Sequence, residues 1–222
     1  MNDLNENNNN KFTIIPFFAS PLMQVQLDLD LEKLTEFSFQ LQNKGRKREE
    51  EEKDTVVIGG WQSNNIVEEP HEEFKKLKKE INQYLQIYHS EVFQGMTFKE
   101  NVTQSINSMW VMINEKQHYV DWHIHPISTL SGVYYINHDG SKENGDIMFK
   151  NPNGTYMNIA HWPPGLVETT NEVSVEKVNI TPSPNMLLIF PSWLEHKVEM
   201  NLKDDTRISL SFNSQPIPEK KS

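Results

Sequence analysis

Three histidines have residue types and a spacing that suit a metal site. His123 and His125 alternate in the segment Asp-Trp-His-Ile-His-Pro, and His196 follows much later in Pro-Ser-Trp-Leu-Glu-His. Side chains two positions apart on a β-strand point to the same face, so His123 and His125 are expected to share one. Neutral imidazole is a ligand for iron, zinc and copper. An H-x-H pair alone is a weak signal, but a later strand that returned His196 beside it would complete a set of three ligands.

A second group of polar residues lies just beyond His196, on the predicted strand Arg-Ile-Ser-Leu-Ser-Phe-Asn. Alternation places Arg207, Ser209 and Ser211 on one face of that strand, opposite three apolar side chains. A buried arginine needs an anion, and its planar guanidinium matches a carboxylate, for which Ser209 would supply a second donor. Two interpretations stay open here. The anion is either a bound ligand or one of the chain's own 31 acidic residues.

The composition restricts the class of protein to which these residues belong. The chain has 222 residues, with 21 basic and 31 acidic side chains and a net charge of −10. This acidic excess argues against a nucleic-acid partner and against an anionic membrane surface, since both require a basic face. The absence of cysteine excludes disulfides, zinc fingers, thiolate iron–sulfur clusters and cysteine nucleophiles. Any metal must therefore be bound by histidine, aspartate or glutamate.

The elements that must position the candidate residues are two helices followed by many short strands. Apolar residues recur at helical spacing over about 30–42 and again over 68–93. After Thr103 the pattern changes to short β-rich runs, separated by turns such as Asn-His-Asp-Gly. The predicted strands lie near 105–114, 118–125, 130–137, 145–149, 173–180, 185–190, 194–200 and 206–213. These patterns predict an α+β, mainly β protein: a double-stranded β-helix, or jelly roll, with N-terminal helices packed on one sheet.

The remaining segments divide the chain further. We expect a disordered tail over 1–11, an N-terminal strand and helices that support the core over 12–102, a jelly-roll catalytic core over 103–214, and a tail over 215–222. The charged run 45–54 is interpreted as a solvated loop. Gly-Gly-Trp-Gln-Ser at 59–63 is either a turn anchored by a buried tryptophan or a wall of a ligand pocket.

Residues 150–172, which include Asn151, Tyr156, His161 and Trp162, form the insertion expected to contact a substrate. No apolar run approaches the roughly 18 residues of a membrane helix, and the first residues lack the pattern of a signal peptide. A cytoplasmic location is therefore expected.

The order of the motifs resembles that of the 2-oxoglutarate/Fe(II)-dependent dioxygenases. H-x-H is followed by a tyrosine-rich strand, then Gly-Asp-Ile-Met-Phe, then Pro-Ser-Trp-Leu-Glu-His and finally Arg-Ile-Ser. In detail the motifs, together with Gly-Gly-Trp-Gln-Ser, are similar to a branch of that superfamily found in phages and marine bacteria. The resemblance covers most of residues 12–213. The motifs are specific in combination and weak singly. For a phage-encoded chain, the location would be the host cytoplasm.

The resemblance implies a role for each candidate residue. His123 and His196 take the places of the two histidine ligands of Fe(II), and Arg207 and Ser209 occupy the R-x-S that binds the distal carboxylate of 2-oxoglutarate. Position 125 departs from the superfamily, because it is histidine where a carboxylate is usual. Either His125 is a true ligand, or an acidic residue such as Asp121 or Asp139 completes the set. We favour His125, with Asp121 orienting an imidazole or serving as the alternative ligand.

These residues lead to one principal hypothesis of function. The chain is expected to be an Fe(II)- and 2-oxoglutarate-dependent oxygenase that hydroxylates a prime substrate and converts 2-oxoglutarate to succinate and CO2. Its expected partners are 2-oxoglutarate, O2 and that substrate, with no nucleic acid and no membrane. A cupin-like metal enzyme without 2-oxoglutarate is the first alternative, although Ile127–Leu130 lacks the glutamate usual in cupins. A non-catalytic jelly roll that binds a metal or ligand is the second.

Overall fold

The structure is a computed structural model, and it describes residues 19–44, 57–154, 168–169, 171 and 174–218. The predicted tail 1–11 and the predicted loop 45–54 lie outside the described residues. So do Tyr156, His161 and Trp162 of the insertion.

The described part of the chain contains two α-helices, eleven strands and a short 3-10 helix (Lys142–Asn144). The helices are α1 (Leu31–Lys44) and α2 (Glu72–Val92). The strands are β1 (Met23–Gln26), β2 (Val57–Ile58), β3 (Trp61–Gln62), β4 (Val102–Asn114), β5 (Tyr119–His123), β6 (Leu130–Asn137), β7 (Ile147–Lys150), β8 (Lys177–Ile180), β9 (Met186–Pro191), β10 (His196–Val198) and β11 (Arg207–Pro218).

The strands form two sheets that face each other. The larger sheet has the order β1-β9-β6-β11-β4-β3, and the smaller has the order β2-β5-β10-β7-β8. Every pairing in both sheets is antiparallel. From β4 to β7, and again from β8 to β11, successive strands alternate between the two sheets, as they do in a double-stranded β-helix. The predicted fold class is confirmed.

Both helices cover the outer face of the larger sheet. The stripe predicted for the second helix is buried, with Phe74, Leu77 and Ile81 among its members. These side chains share one core cluster with Leu210 and Phe212 of β11. Burial of such an apolar stripe accounts for most of a helix's stability in a folded chain. No helix in the described ranges is long and apolar enough to cross a membrane.

A second, smaller core lies between the two sheets. Val133 and Tyr135 of β6 and Leu188 of β9 face inward, where they meet Ile147 and Phe149 of the smaller sheet. Strands β6 and β9 of the larger sheet thus carry apolar side chains on both faces, and both are buried almost throughout. The part of the space between the sheets that side chains do not fill is the cavity described below.

The predicted strands match the observed ones in number and order from β4 onward, and their ends differ by a few residues. The last strand differs most, since β11 pairs with β4 as far as Pro218 opposite Val102. Residues 215–218 therefore continue a strand beyond the predicted core limit at 214. A long partner strand explains the extension, because β4 runs for 13 residues and offers backbone groups along its whole length.

Candidate active site

The two strands that carry His123 and His196 are hydrogen-bonded neighbours in the smaller sheet. His123 of β5 lies directly opposite His196 of β10 in the antiparallel register. Residues opposite each other in such a pair point to the same face. The ring centroids of His123 and His196 are 4.3 Å apart. The return of a later strand beside the H-x-H segment is thus observed.

His125 lies two residues past the end of β5 and joins the same group. Its backbone N–H donates to the carbonyl of Ser192 at 2.9 Å, which ties this segment to the turn before β10. The ring of His125 lies 5.0 Å from that of His123 and 5.2 Å from that of His196. One ligand nitrogen from each of the three rings lies within 4.8 Å of the other two. This arrangement suits a metal ion bound by three imidazoles.

Hydrogen bonds to backbone carbonyls fix the tautomers of two of these rings. Nδ1 of His123 lies 2.7 Å from the carbonyl oxygen of Asp121, and Nδ1 of His196 lies 2.8 Å from that of Leu194. A carbonyl oxygen only accepts, so each Nδ1 must carry the proton and donate it. Nε2 then carries the lone pair, which is the form in which imidazole binds a metal.

Burial keeps His196 in its neutral, metal-binding form. The side chain is 4% exposed. Loss of hydration lowers its pKa to about 3, and the neighbouring His123 and His125 add to that effect. The ring therefore carries no proton on Nε2 near neutral pH, so a metal has no proton to displace there.

Asp121 lies outside the histidine group, although strict alternation along β5 would place its side chain on the same face as that of His123. Val120 pairs with Val198, and His123 pairs with His196. Between these two pairs β5 advances by three residues, whereas β10 advances by only two. This bulge turns Val120 and His123 toward the interior, while the side chain of Asp121 is exposed. Asp121 acts on the site through its backbone carbonyl, which holds His123, and its carboxylate accepts from the N–H of Trp122.

Asp139, the other acidic alternative, is bound elsewhere. Its carboxylate pairs with Lys203 and accepts from Ser141, and the Lys203 ammonium is the main reason that its pKa lies well below the usual range. Among the residues that the structure describes, no carboxylate belongs to the group that contains the three histidines. The geometry thus favours His125 as the third ligand, although the assignment stays a prediction.

Arg207 is a buried cation to which the described residues supply no acidic partner. Its side chain is 1% exposed, and its Nη1 donates to the carbonyls of Asn144 at 2.8 Å and Glu199 at 3.1 Å. Its Nη2 has no hydrogen-bond partner in the part of the chain that the structure describes. No carboxylate in the described ranges, the buried Asp146 included, lies within ion-pair distance of it. Burial lowers the pKa of Arg207 to about 10, so the guanidinium is still charged near neutral pH.

Gly145 is a functional position that the sequence analysis did not single out for this role. A Cβ at this residue would lie 2.1 Å from Nη1 of Arg207 and 2.4 Å from the carbonyl oxygen of Glu199. The backbone φ of +97° also favours glycine. Only glycine therefore leaves room for the arginine. The signal in the sequence was its place at the start of Gly-Asp-Ile-Met-Phe.

One cavity joins the histidines to Arg207. It has a volume of about 420 Å³ and is lined by His123, His125 and His196 as well as by Arg207, Ser209 and Ser211. The predicted alternation on β11 is observed, because Ile208, Leu210 and Phe212 face the helices instead. Tyr135 also lines the cavity, and its hydroxyl is buried without a partner. Burial raises the pKa of that hydroxyl, which keeps it protonated and able to donate.

The Gly-Gly-Trp-Gln-Ser segment serves both of the roles considered for it. Trp61 packs against the core under the helices, whereas Gln62 lines the cavity. A second cavity of about 650 Å³ opens beside the histidines and shares His123 and Ile124 with the first. Asn151 of the predicted insertion lines it, together with Trp193.

Comparisons with known proteins agree with this geometry. Residues 108–213 match the sequence model of a family described as "Putative 2OG-Fe(II) oxygenase". No curated protein sequence matches the chain. The histidines and Arg207 all lie within the matched range.

Solved structures share the fold at low sequence identity. A Pseudomonas putida prolyl-4-hydroxylase is 14% identical, with a TM-score of 0.55 over 90% of this chain and 93% of its own. The viral collagen prolyl hydroxylase of Paramecium bursaria Chlorella virus-1, in complex with 2-oxoglutarate, is 10% identical, with a TM-score of 0.55 over 87% and 94%. The α-ketoglutarate-dependent epimerase SnoN of nogalamycin biosynthesis is 11% identical, with a TM-score of 0.61 over 90% and 79%.

The predicted resemblance is therefore confirmed, and so are the predicted cofactors. The origin in phages or marine bacteria stays a prediction. Over residues 108–213 the chain is similar to the 2-oxoglutarate/Fe(II)-dependent oxygenases, whose cofactors are Fe(II) and 2-oxoglutarate.

Proposed function

We propose that this chain is a hydroxylase that holds Fe(II) at His123, His125 and His196 and binds the distal carboxylate of 2-oxoglutarate at Arg207 and Ser209. The observation that carries the proposal is the cavity that joins three imidazoles to a buried guanidinium, for which the described residues supply no acidic partner. A dicarboxylate that spans this cavity would reach a metal at the histidines with one end and the guanidinium of Arg207 with the other.

The residues present fit the two cofactors. The Nε2 atoms of His123 and His196, whose Nδ1 atoms donate to backbone carbonyls, are ligands of the kind that Fe(II) takes. The unpaired Nη2 of Arg207 and hydroxyl of Tyr135 are donors for a carboxylate. With three neutral imidazoles, the net charge of the ferrous site is +2, whereas a site with the usual carboxylate ligand has a net charge of +1. This site therefore attracts the anionic cosubstrate more strongly than the usual one, by charge alone.

The chain's own residues bind, orient and exclude water. Arg207 and Ser209 fix the far end of 2-oxoglutarate, so that its 2-oxo acid end lies toward the histidines. Val133, Ile147 and Phe190 line the cavity and make its walls apolar. Bound Fe(II) supplies the oxygen chemistry, in which 2-oxoglutarate and O2 yield succinate and CO2 and one oxygen atom enters a C–H bond of the prime substrate. The second cavity beside His123 provides room for that substrate.

Anaerobic titration with Fe(II) and 2-oxoglutarate, followed by visible absorption, tests the proposal. We expect a charge-transfer band that needs both components, and succinate formation once O2 is admitted. A cupin-like enzyme or a non-catalytic jelly roll would bind the metal and give neither the band nor succinate. Hydroxylation itself requires a product heavier than its substrate by one oxygen atom. A cytoplasmic location and the absence of a nucleic-acid partner stay predictions.

The identity of the third ligand can be decided by two substitutions. His125→Ala is expected to weaken Fe(II) binding strongly, because it removes one of three nitrogens. Asp121→Asn should leave binding nearly unchanged, since the backbone carbonyl that holds His123 is retained. His125→Asp should keep the iron, as the common triad does, with some loss of activity from the shorter ligand. Iron affinity is the measurement. Loss of iron in Asp121→Asn, with normal binding in His125→Ala, would make Asp121 the ligand.

A further inference from the structure

Asn114 lies beside Arg207 in the larger sheet and faces the same cavity. It is the last residue of β4 and the register partner of Arg207, the first residue of β11. On the other side of β11, Tyr135 of β6 is the register partner of Ser209. All four side chains line the cavity. Three neighbouring strands thus place an amide, a guanidinium and two hydroxyls around one space.

Three of these groups carry buried donors that no atom of the described residues satisfies. They are Nδ2 of Asn114, Nη2 of Arg207 and the hydroxyl of Tyr135, and the exposed fractions of the three residues are 2%, 1% and 1%. Buried polar groups in folded proteins are almost always hydrogen-bonded. Three unpaired donors on the wall of one cavity therefore indicate an acceptor with several lone pairs. A carboxylate has about four such positions and can accept from all three.

The Gly59–Gly60 turn explains how the amide of Asn114 is held. The turn joins β2 of the smaller sheet to β3 of the larger one, and it passes close to the side chain of Asn114. A Cβ on Gly60 would lie 2.7 Å from Nδ2 of Asn114 and 2.9 Å from the carbonyl oxygen of Ile113, and its φ is +76°. A side chain at position 60 would therefore push the amide out of its place.

We propose that Asn114 donates a hydrogen bond to the distal carboxylate of 2-oxoglutarate, and that Gly60 is glycine in order to keep this amide in position. The inference rests on the proposed function and adds a residue to its cosubstrate site. It also gives the Gly-Gly-Trp-Gln-Ser segment a purpose, since the segment supports the wall that recognises the dicarboxylate. Specificity for a 2-oxo acid with a second carboxylate then depends on side chains from three neighbouring strands, β4, β6 and β11.

Calorimetric titration of the anaerobic Fe(II) protein with 2-oxoglutarate and with oxalate tests the role of Asn114. Oxalate chelates a metal but has no distal carboxylate. Asn114→Leu is expected to weaken 2-oxoglutarate binding by about tenfold or more, the usual effect of a hydrogen bond to a charged group. Oxalate binding should be unchanged. Asn114→Asp should weaken 2-oxoglutarate binding more than Asn114→Leu does, because the new carboxylate pairs with Arg207 and repels the anionic ligand. Asn107→Leu, on the same strand but outside the cavity, is the matched control and should bind both ligands normally.

Gly60→Ala tests the support of the amide without changing Asn114. We expect weaker binding of 2-oxoglutarate and normal binding of oxalate. Gly140→Ala is its control, because Gly140 has a φ of +77° and no atom within 4 Å of its missing Cβ. Two results would overturn the inference about Asn114 while leaving the proposed function intact. One is that Asn114→Leu weakens the binding of 2-oxoglutarate and of oxalate equally. The other is that Asn114→Leu leaves the affinity for 2-oxoglutarate unchanged while Arg207→Met abolishes it. Failure of the parent protein to bind 2-oxoglutarate would instead overturn the proposed function.

Discussion

Replacement of His196 by alanine is expected to weaken Fe(II) binding by about two to three orders of magnitude. Apparent free energies of about 10–16 kcal/mol for a structural zinc site with four ligands correspond to about 2.5–4 kcal/mol for each ligand. His196 is the most buried of the three histidines, and its ring is held by the carbonyl of Leu194. Water that fills its place would be a weaker ligand in an apolar surrounding.

The measurement is an anaerobic titration with Fe(II), monitored by calorimetry or by competition with a chelator. His89→Ala on α2 is the control, because it removes a histidine that packs against Phe98, away from the cavity, and should bind iron as the parent does. Thermal unfolding of both variants shows whether they are folded. Parent-like iron affinity in a folded His196→Ala protein would contradict the metal site as assigned.

Replacement of Arg207 by methionine is expected to abolish 2-oxoglutarate binding while Fe(II) binding is retained. Loss of one partner from a buried, hydrogen-bonded charge pair typically costs about 2–5 kcal/mol, which is about 30- to 5,000-fold in affinity. Methionine has a similar length and fills the space, so the comparison isolates the charge and its donors. Arg207→Lys should bind with an intermediate affinity, since lysine keeps the charge but lacks the planar fork.

Stabilisation by the ligand gives an independent measurement of the same effect. At a concentration 100 times its dissociation constant, a ligand stabilises the folded protein by about 2.7 kcal/mol. We expect 2-oxoglutarate to raise the melting temperature of the Fe(II)-loaded parent protein and to leave that of Arg207→Met unchanged. Lys203→Met is the control, because Lys203 pairs with Asp139 and does not line the cavity. Equal stabilisation of parent and Arg207→Met would place the cosubstrate elsewhere.

The sequence by itself determined which elements form and which residue types face inward. Strand alternation correctly separated Arg207, Ser209 and Ser211 from the apolar face of β11, because the side-chain period of an extended strand is a local property. Helical spacing predicted the buried stripe of α2 for the same reason. The order of the motifs then indicated the family.

The tertiary structure decided how these residues meet. Pairing of β5 with β10 places His123 opposite His196, and a bulge in that pairing turns Asp121 to the surface although simple alternation predicted the opposite. Whether Arg207 has an acidic partner depended on every chain segment around it, and none that the structure describes supplies one. The unpaired donors of Tyr135 and Asn114 came from strands β6 and β4, which the sequence could not place on either side of β11. Contacts between distant segments depend on register and on the filling of shared space, and neither is a local property of the chain.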